Sequence, residues 1–402
     1  MPATTPDSVL AILDVDPFGE NNLTDPYPMH QLLREAGPVV FLERYRVWAM
    51  ARHQDVYAAL TGHETFCSSR GAGLADFHTE KPWRPPSLLL EADPPDHTIT
   101  RGAMGKVTSA STVRGFRETF RAEAEAVADE LVARGRFDAI TDLAERYPLT
   151  VFPDAVGLPA EGRQNLLPYG ALAFNAFGPR NHLLDQALAS AAPAQEWIWA
   201  SCQRDALTPG GLGARLWALA DAGEISYEQA PMLVRSLLSA GVDTTVYGIG
   251  NTVQALTANP GQWARLREKP SLARFVFDEA LRYESPVQTF FRTTTREVEV
   301  SGVRIPEGEK VLLFLGAANR DPRKWGPDAD RMDITRKAAG HVAFGMGIHQ
   351  CVGQPIARLE AELVLTALAE RVKKLEPAGD PVPKLNNTLK GWASVPVRVH
   401  PA

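Results

Sequence analysis

Cys351 stands in the stretch Phe344-Gly345-Met346-Gly347-Ile348-His349-Gln350-Cys351-Val352-Gly353, followed by an apolar helical pattern through Leu359 and Leu363. A lone cysteine is more often an inert, buried small residue than a ligand. Here glycines on both sides let backbone N–H groups approach the sulfur, and a helix beginning at the cysteine places its positive end there. Both features favour thiolate over thiol. No second Cys and no His pair at zinc spacing accompanies it, so a structural or catalytic zinc site is not indicated. One thiolate without protein co-ligands points to haem iron. A nucleophile–base reading of His349 and Cys351 is weaker, because two residues apart in a glycine loop they form no oriented pair.

A second group lies in Ala240-Gly241-Val242-Asp243-Thr244-Thr245. The spacing of Ser226 to Gln229 resembles a capping box, and predicts a helix from there to about Thr257. Such a helix would be roughly 45 Å long, enough to cross the molecule. An acid, two hydroxyls and several glycines in its middle break the rules for a buried helix, which marks either a functional groove or a simple kink with hydroxyls bonded to carbonyls. A third pair, Glu279 and Arg282, sits at i, i+3 on one helix face, where the default is a weak surface ion pair.

The elements that must carry these residues are mostly helical. Helical patterns dominate from about Thr112 to Leu281. Val39 to Ala51 reads as a hairpin, and further strands are predicted within Glu297 to Leu315 and near Val395 to Val399. The fold class is therefore mainly α with small peripheral β-sheets. The 402 residues, 45% of them hydrophobic, allow two or three domains by length. No linker, repeat or low-complexity block divides them, and 1–402 reads as a single domain. The N-terminal Met1 to Asn22 has no basic, apolar leader pattern, and no apolar run is long enough to span a bilayer. A net charge of -6 without a basic run argues against a nucleic-acid partner. With only Cys67, Cys202 and Cys351, a disulfide framework is not indicated and a cytoplasmic location is expected.

The cysteine stretch resembles the F-G-x-G-x-H-x-C-x-G signature of the cytochrome P450 superfamily of haem-thiolate monooxygenases, and other features of that family follow in order along nearly the whole chain. The resemblance implies the P450 fold, with a long central helix over haem b and Cys351 as the iron's axial ligand within the loop that begins at Phe344. Glu279-Ala280-Leu281-Arg282 matches the E-x-x-R element, which in the family forms a buried triad with a later arginine. Arg331 is the expected third arm, although Met332 stands where an aromatic residue is common. The Ala240 to Thr245 segment resembles the family's oxygen-binding groove, implying that Asp243 relays protons and Thr244 holds activated oxygen. Asp93-Pro94-Pro95-Asp96-His97 with Arg101 looks like the helix whose His and Arg meet a haem propionate. Arg292 and His349 fall where further propionate partners are expected. For each of these cations the alternative is ordinary solvation.

Four segments resemble a narrower group, bacterial enzymes that oxidise para-substituted benzoic acids, including O-demethylation of 4-methoxybenzoate to 4-hydroxybenzoate. They are 81–87, 174–179, 233–239 and 285–292. The likeness implies that Arg84, Ser87 and Ser236 hold the substrate carboxylate with charge lent by Arg235. Leu90, Phe174, Phe177, Val287 and Phe290 would clasp the ring; core packing is the alternative for the phenylalanines and a surface charge for Arg84. Tyr247 departs from the Asn expected one turn beyond Asp243. By spacing alone, Ser236, Ser239, Ala240, Asp243 and Tyr247 form one stripe on a continuous helix.

The implied partners are a small aromatic carboxylic acid, O2, and a separate iron–sulfur ferredoxin with its reductase, since the chain has no flavin or reductase domain. Lys106, Arg114, Arg336, Lys337 and Arg358 are candidate docking cations. A monooxygenase of another small apolar or aromatic substrate shares most of these features. A peroxygenase, or a non-enzymatic haem sensor, would have no need of the Asp243–Thr244 pair.

Overall fold

The computed structural model describes residues 10–402. Residues 1–9, part of the stretch read above for a targeting signal, lie outside the described residues. Helices dominate and small sheets surround them. The largest sheet has six strands in the order Ala11–Leu13, Val40–Leu42, Val47–Met50, Lys310–Phe314, Thr289–Thr294 and Phe66–Cys67. Val40–Leu42 and Val47–Met50 form the anticipated hairpin, turning through Arg46 at φ 51°. Lys310–Phe314 pairs parallel on one side and antiparallel on the other and is buried beyond its first residue, which explains its unbroken apolar run. The strand Thr289–Thr294 was not anticipated. Its two-residue period puts Phe290 and Arg292 on one face, and both reach the same cavity.

The other predicted strands are present. Val298–Val300 and Val303–Ile305 form a small hairpin turned by Ser301 and Gly302, both at positive φ. Pro396–Pro401 lies between Val372–Pro377 and Arg136–Asp138. A further two-stranded hairpin joins Val382–Lys384 to Gly391–Ser394.

Six helices position the candidate site: α1 (Asp96–Val107), α2 (Leu166–Asn175), α3 (Gln229–Ala240), α4 (Asp243–Ala258), α5 (Ala273–Glu284) and α6 (Gln354–Arg371). The capping box at the start of α3 is formed reciprocally: Ser226 N–H donates to Gln229 Oε1 at 2.8 Å, and Gln229 N–H to Ser226 Oγ at 3.2 Å. The single helix predicted to about Thr257 is instead two, α3 and α4, interrupted at Gly241 and Val242. Thr244 Oγ1 donates to the Ala240 carbonyl at 2.8 Å and Thr245 Oγ1 to the Gly241 carbonyl at 3.2 Å. Side-chain hydroxyls thus take up carbonyls on the N-terminal side of the step, which bends and loosens a helix. Gly241 is also pressed against Phe152, and any side chain there would collide with the ring.

Glu279 and Arg282 on α5 are both wholly buried. Arg282 Nε and Nη2 each donate to the Glu279 carboxylate at 2.8 Å. The third arm is Arg336, whose Nε lies 3.3 Å from Glu279 Oε1, and not Arg331. Met332 turns into the core, which leaves the neighbouring Arg331 side chain exposed. Arg331 contributes only its carbonyl, which accepts from Arg282 Nη2 at 2.9 Å.

Candidate active site

One cavity lies between the cysteine loop and the α3–α4 step, with about 1610 Å³ of non-atom space counting the open solvent at its mouth. Cys351 forms part of one wall together with Phe344, Gly345 and Gly353. Its N–H donates to the Phe344 carbonyl at 2.7 Å, closing the loop. Gly345 and Gly347 adopt φ 66° and 70°, and at Gly347 a side chain would press on the Leu60 carbonyl. Burial pushes the Cys351 thiol up, while the N–H groups of Gly353 and Gln354 and the charges of Arg101 and Arg358 pull it down. Burial prevails in the metal-free chain. A bound cation reverses that balance, because coordination deprotonates a thiol.

Arg101, Arg292 and His349 line the rim of this cavity. Arg292 is buried and pulled down to about 10 by desolvation. His97 does not line the cavity but packs directly behind His349, ring centroids 4.5 Å apart. His349 Nδ1 is 3.0 Å from the Leu89 carbonyl, and its Nε2 is 3.5 Å from Asp93 Oδ1 without hydrogen-bond alignment. Desolvation first, then the positive neighbours His349 and Arg101, lower His97 to about 4. The Nε2 atoms of both histidines are buried without a hydrogen-bond partner. Two arginines and two such imidazoles therefore await an anionic group.

Opposite the cysteine, Ser236, Ser239, Ala240, Gly241, Thr244 and Thr245 line the cavity. Asp243 and Tyr247 do not, so the single stripe inferred from spacing is broken at the helix step: Thr244 faces inward and Asp243 turns away. Gly170 of α2 lies flush against the Asp243 side chain. Both Asp243 oxygens are buried and unpartnered, and desolvation raises the carboxyl to about 7.

The same cavity is lined by Arg84, Ser87, Leu90, Phe174, Phe177, Ser236, Val287 and Phe290. Phe177 meets Phe174 and Phe290 edge-on at 5.9 and 5.4 Å. Ser87 Oγ accepts from the Leu89 and Leu90 N–H groups, which leaves its own proton free to be donated. Arg84 Nη1 is paired with Glu91 at 3.0 Å, a residue sequence reasoning overlooked, and its Nε is buried without a partner. Arg235 is not on the cavity wall. It is buried behind the loop, where its Nη2 donates to the carbonyls of Pro85 and Pro86 at 2.8 and 3.3 Å. Ser236 Oγ donates to the Met232 carbonyl at 3.0 Å.

A family model described as cytochrome P450 matches residues 216–399. Cytochrome p450 CYP199A2 from Rhodopseudomonas palustris is 58% identical across 100% of this chain and 98% of that protein. The chain belongs to the cytochrome P450 family. A vitamin D(3) 25-hydroxylase from Pseudonocardia autotrophica is 33% identical, with 96% of each chain covered. Among solved structures, the cytochrome P450 CREJ in complex with (4-ethylphenyl) dihydrogen phosphate aligns at TM-score 0.87 and 26% identity, covering 96% of this chain and 99% of that one.

P450 enzymes are monooxygenases that carry haem on a cysteine thiolate, and the donor set here fits that group: one thiol on the wall, cations and unpartnered imidazoles on the rim, and apolar surface between. Among the described residues, no helix is long and apolar enough to cross a membrane. The candidate docking cations fare unequally. Lys106 pairs with Glu224, Arg358 with Asp278, and Arg336 is spent on Glu279 and Asp328. Arg114 and Lys337 are exposed. Asp93, whose contacts with His349 and the Ser68 and Ser69 N–H groups outweigh burial and hold its carboxyl low, was also missed; its position beside the propionate helix was the available signal.

Proposed function

We propose that this P450 oxidises the para substituent of small aromatic carboxylic acids, with 4-methoxybenzoate as the test substrate, in the cytoplasm and with electrons from a separate iron–sulfur ferredoxin and its reductase. The carrying observation is the lining of the cavity: Arg84, with its Nε buried and unpartnered, and the free Ser87 hydroxyl share it with Cys351 and with the apolar side chains of Leu90, Phe174, Phe177, Val287 and Phe290. A buried carboxylate needs charge-assisted donors. Burial and the neighbouring charge of Arg84 lower Arg235, so an anion in the cavity beside Arg84 would offset the repulsion between the two arginines. The CREJ ligand, an aryl ring with an anionic group para to a short alkyl chain, has the same layout.

Cys351 would hold haem, and Arg101, Arg292, His349 and His97 would bind its propionates; the bound group would supply the O2 reduction from which one oxygen atom enters a C–H bond. Thr244 faces that space and Asp243 lies one residue before it, so Asp243 would supply protons and Thr244 would position them. Phe174, Phe177 and Phe290 hold the ring and exclude water. Hydroxylation of the methoxy carbon gives a hemiacetal that releases formaldehyde and 4-hydroxybenzoate; O2, two electrons and two protons are consumed and water is formed.

Soret titrations and product analysis of the three methoxybenzoates with wild type and Arg84→Ala test this reading. Loss of a charge-assisted pair worth roughly 1.5–3 kcal/mol should weaken binding by about one to two orders of magnitude. The 2-isomer, with its methyl beside the anchor, should react little. Equal turnover of the 2- and 4-isomers, or unchanged affinity without Arg84, would sink it.

A further inference from the structure

Lys310 opens the strand Lys310–Phe314, whose other residues are all buried and apolar. Its side chain leaves the sheet for the loop 70–77, where Nζ donates to three main-chain carbonyls, those of Arg70, Gly71 and Gly73, each at 3.0 Å. An ammonium has three N–H donors and no acceptor, so the three carbonyls use all of them. The loop is also closed on itself, by Phe77 N–H donating to the Arg70 carbonyl at 3.1 Å and by Arg70 Nε donating to Asp76 Oδ1 at 3.1 Å. What the held carbonyls surround is Ala72. It is wholly buried and belongs to the apolar cluster of Phe174, Phe177 and Phe290. The Ala72 carbonyl accepts from the Phe291 N–H at 2.9 Å, and Leu74 N–H donates to the Phe177 carbonyl at 2.9 Å. Between them Gly73 lies flush against the Phe177 main chain, where any side chain would collide. One face of this short segment is therefore gripped by Lys310, and the other holds the aromatic lining of the cavity.

We propose that Lys310 is a positioning residue for that lining: its ammonium gathers the carbonyls of Arg70, Gly71 and Gly73, holds residues 72–74 against the Phe177 main chain, and so fixes where the Phe177 ring stands. The proposal rests on the reading of Phe174, Phe177 and Phe290 as the clasp of an aromatic substrate, and is independent of Arg84 as the carboxylate anchor. Without the ammonium, three carbonyls lose their donor at once, and the loop must turn to find others. The Phe177 ring, set edge-on to Phe174 and Phe290, shifts with the main chain that carries it. The charge matters as well as the reach, because a neutral amine has two N–H donors for three carbonyls. The titratable and charged groups facing Lys310 are Asp76, Arg70 and Glu80 from the chain around the loop and Cys67 from the strand Phe66–Cys67. Desolvation brings the lysine down to about 8, against the opposing pull of Asp76. The ammonium is thus the form present at neutral pH, and it gives way to the amine in mild alkali.

The test uses imidazole and 4-phenylimidazole, which both ligate haem iron through a ring nitrogen and differ by one phenyl ring. The ratio of their affinities, read by Soret titration of the haem-loaded protein, measures the clasp with no carboxylate involved and cancels effects on the iron itself. Phe177→Ala should lower the ratio about tenfold and Lys310→Met about threefold. With Phe177 already replaced by Ala, adding Lys310→Met should change the ratio no further, since one residue acting through another is not additive with it. In the wild type the ratio should fall as pH rises through about 8, and in Phe177→Ala it should stay level. A ratio unchanged in Lys310→Met, a loss that persists undiminished in the double variant, or a wild-type ratio that stays level up to about pH 10 overturns the positioning role. An unchanged ratio in Phe177→Ala alone would instead remove the clasp reading, and with it the proposal.

Discussion

Glu279 on α5 and Asp243 on α4 are both buried acids, 0% and 2% exposed, on helices that pack against each other. Glu279 accepts from Arg282, Arg336 and the Asp333 N–H. Asp243 accepts from nothing. A carboxylate so fully supplied with donors ties α5 to the chain around 319–336. A carboxyl left to burial alone titrates at about 7, where gaining and losing a proton cost nearly the same. The Glu279 cluster is thus braced by satisfied charge, and the α3–α4 side keeps polar groups unsatisfied.

The largest test of that contrast is Glu279→Gln. It leaves Arg282 buried without a counter-charge, and loss of one partner of such a pair costs about 3–5 kcal/mol. A urea midpoint shifted far down, with poor haem retention, is expected; a near-normal midpoint would show that the cluster is not a brace. Next, Arg336→Met should cost roughly 1–3 kcal/mol by removing a charged donor to Glu279 Oε1, which keeps Arg282 and the Asp333 N–H, whereas Arg331→Met at an exposed position should stay within about 0.5 kcal/mol. The reverse order in the same denaturation experiment would restore Arg331 as the third arm.

Asp243→Asn probes the other acid through pH. The folded carboxyl titrates at about 7, above its unfolded value, so the folded state binds the extra proton between roughly pH 4 and pH 7. The stabilisation is complete below the unfolded pKa and is lost as pH rises through the folded one, at roughly 1 kcal/mol per pH unit. Asp243→Asn should flatten that part of the stability profile while impairing coupled turnover; an unchanged slope would mean that the carboxyl is not raised in the folded protein. The smallest effect is expected at Glu360 on α6, whose oxygens are also buried without partners and whose carboxyl burial holds well above the ordinary range. Burial favours its neutral form, which an amide resembles in shape and polarity, so Glu360→Gln should alter stability by about 1 kcal/mol or less where that form prevails. The variant should gain on wild type only as pH rises further, and a large loss at pH 7 would show an ionised, paired Glu360.

Much of the site was written locally. The cysteine loop, the i, i+3 spacing of Glu279 and Arg282, the capping box at Ser226 and the Asp243–Thr244 pair each depend on residues within a few positions of one another, and backbone geometry alone brings such residues together. Haem-thiolate chemistry and a mainly helical fold follow from these, and the aromatic and hydroxyl lining of the cavity follows from resemblance in short segments. What escaped the sequence is long-range. Arg336 rather than Arg331 reaches Glu279 because Met332 packs inward; the helix is interrupted at Gly241 and Val242, where Phe152 from another helix leaves no room for a side chain. Arg235 lies behind the anchor because the carbonyls of Pro85 and Pro86 claim it. The charges that act on the Asp243 carboxyl, Lys384 and Glu145, come from 141 residues downstream and 98 upstream by their numbering, and no local pattern encodes that. Spacing determines which side chains share a helix face, but only packing decides what that face meets, because the free energy of burying or pairing a group belongs to the assembled neighbours and not to the segment that carries it.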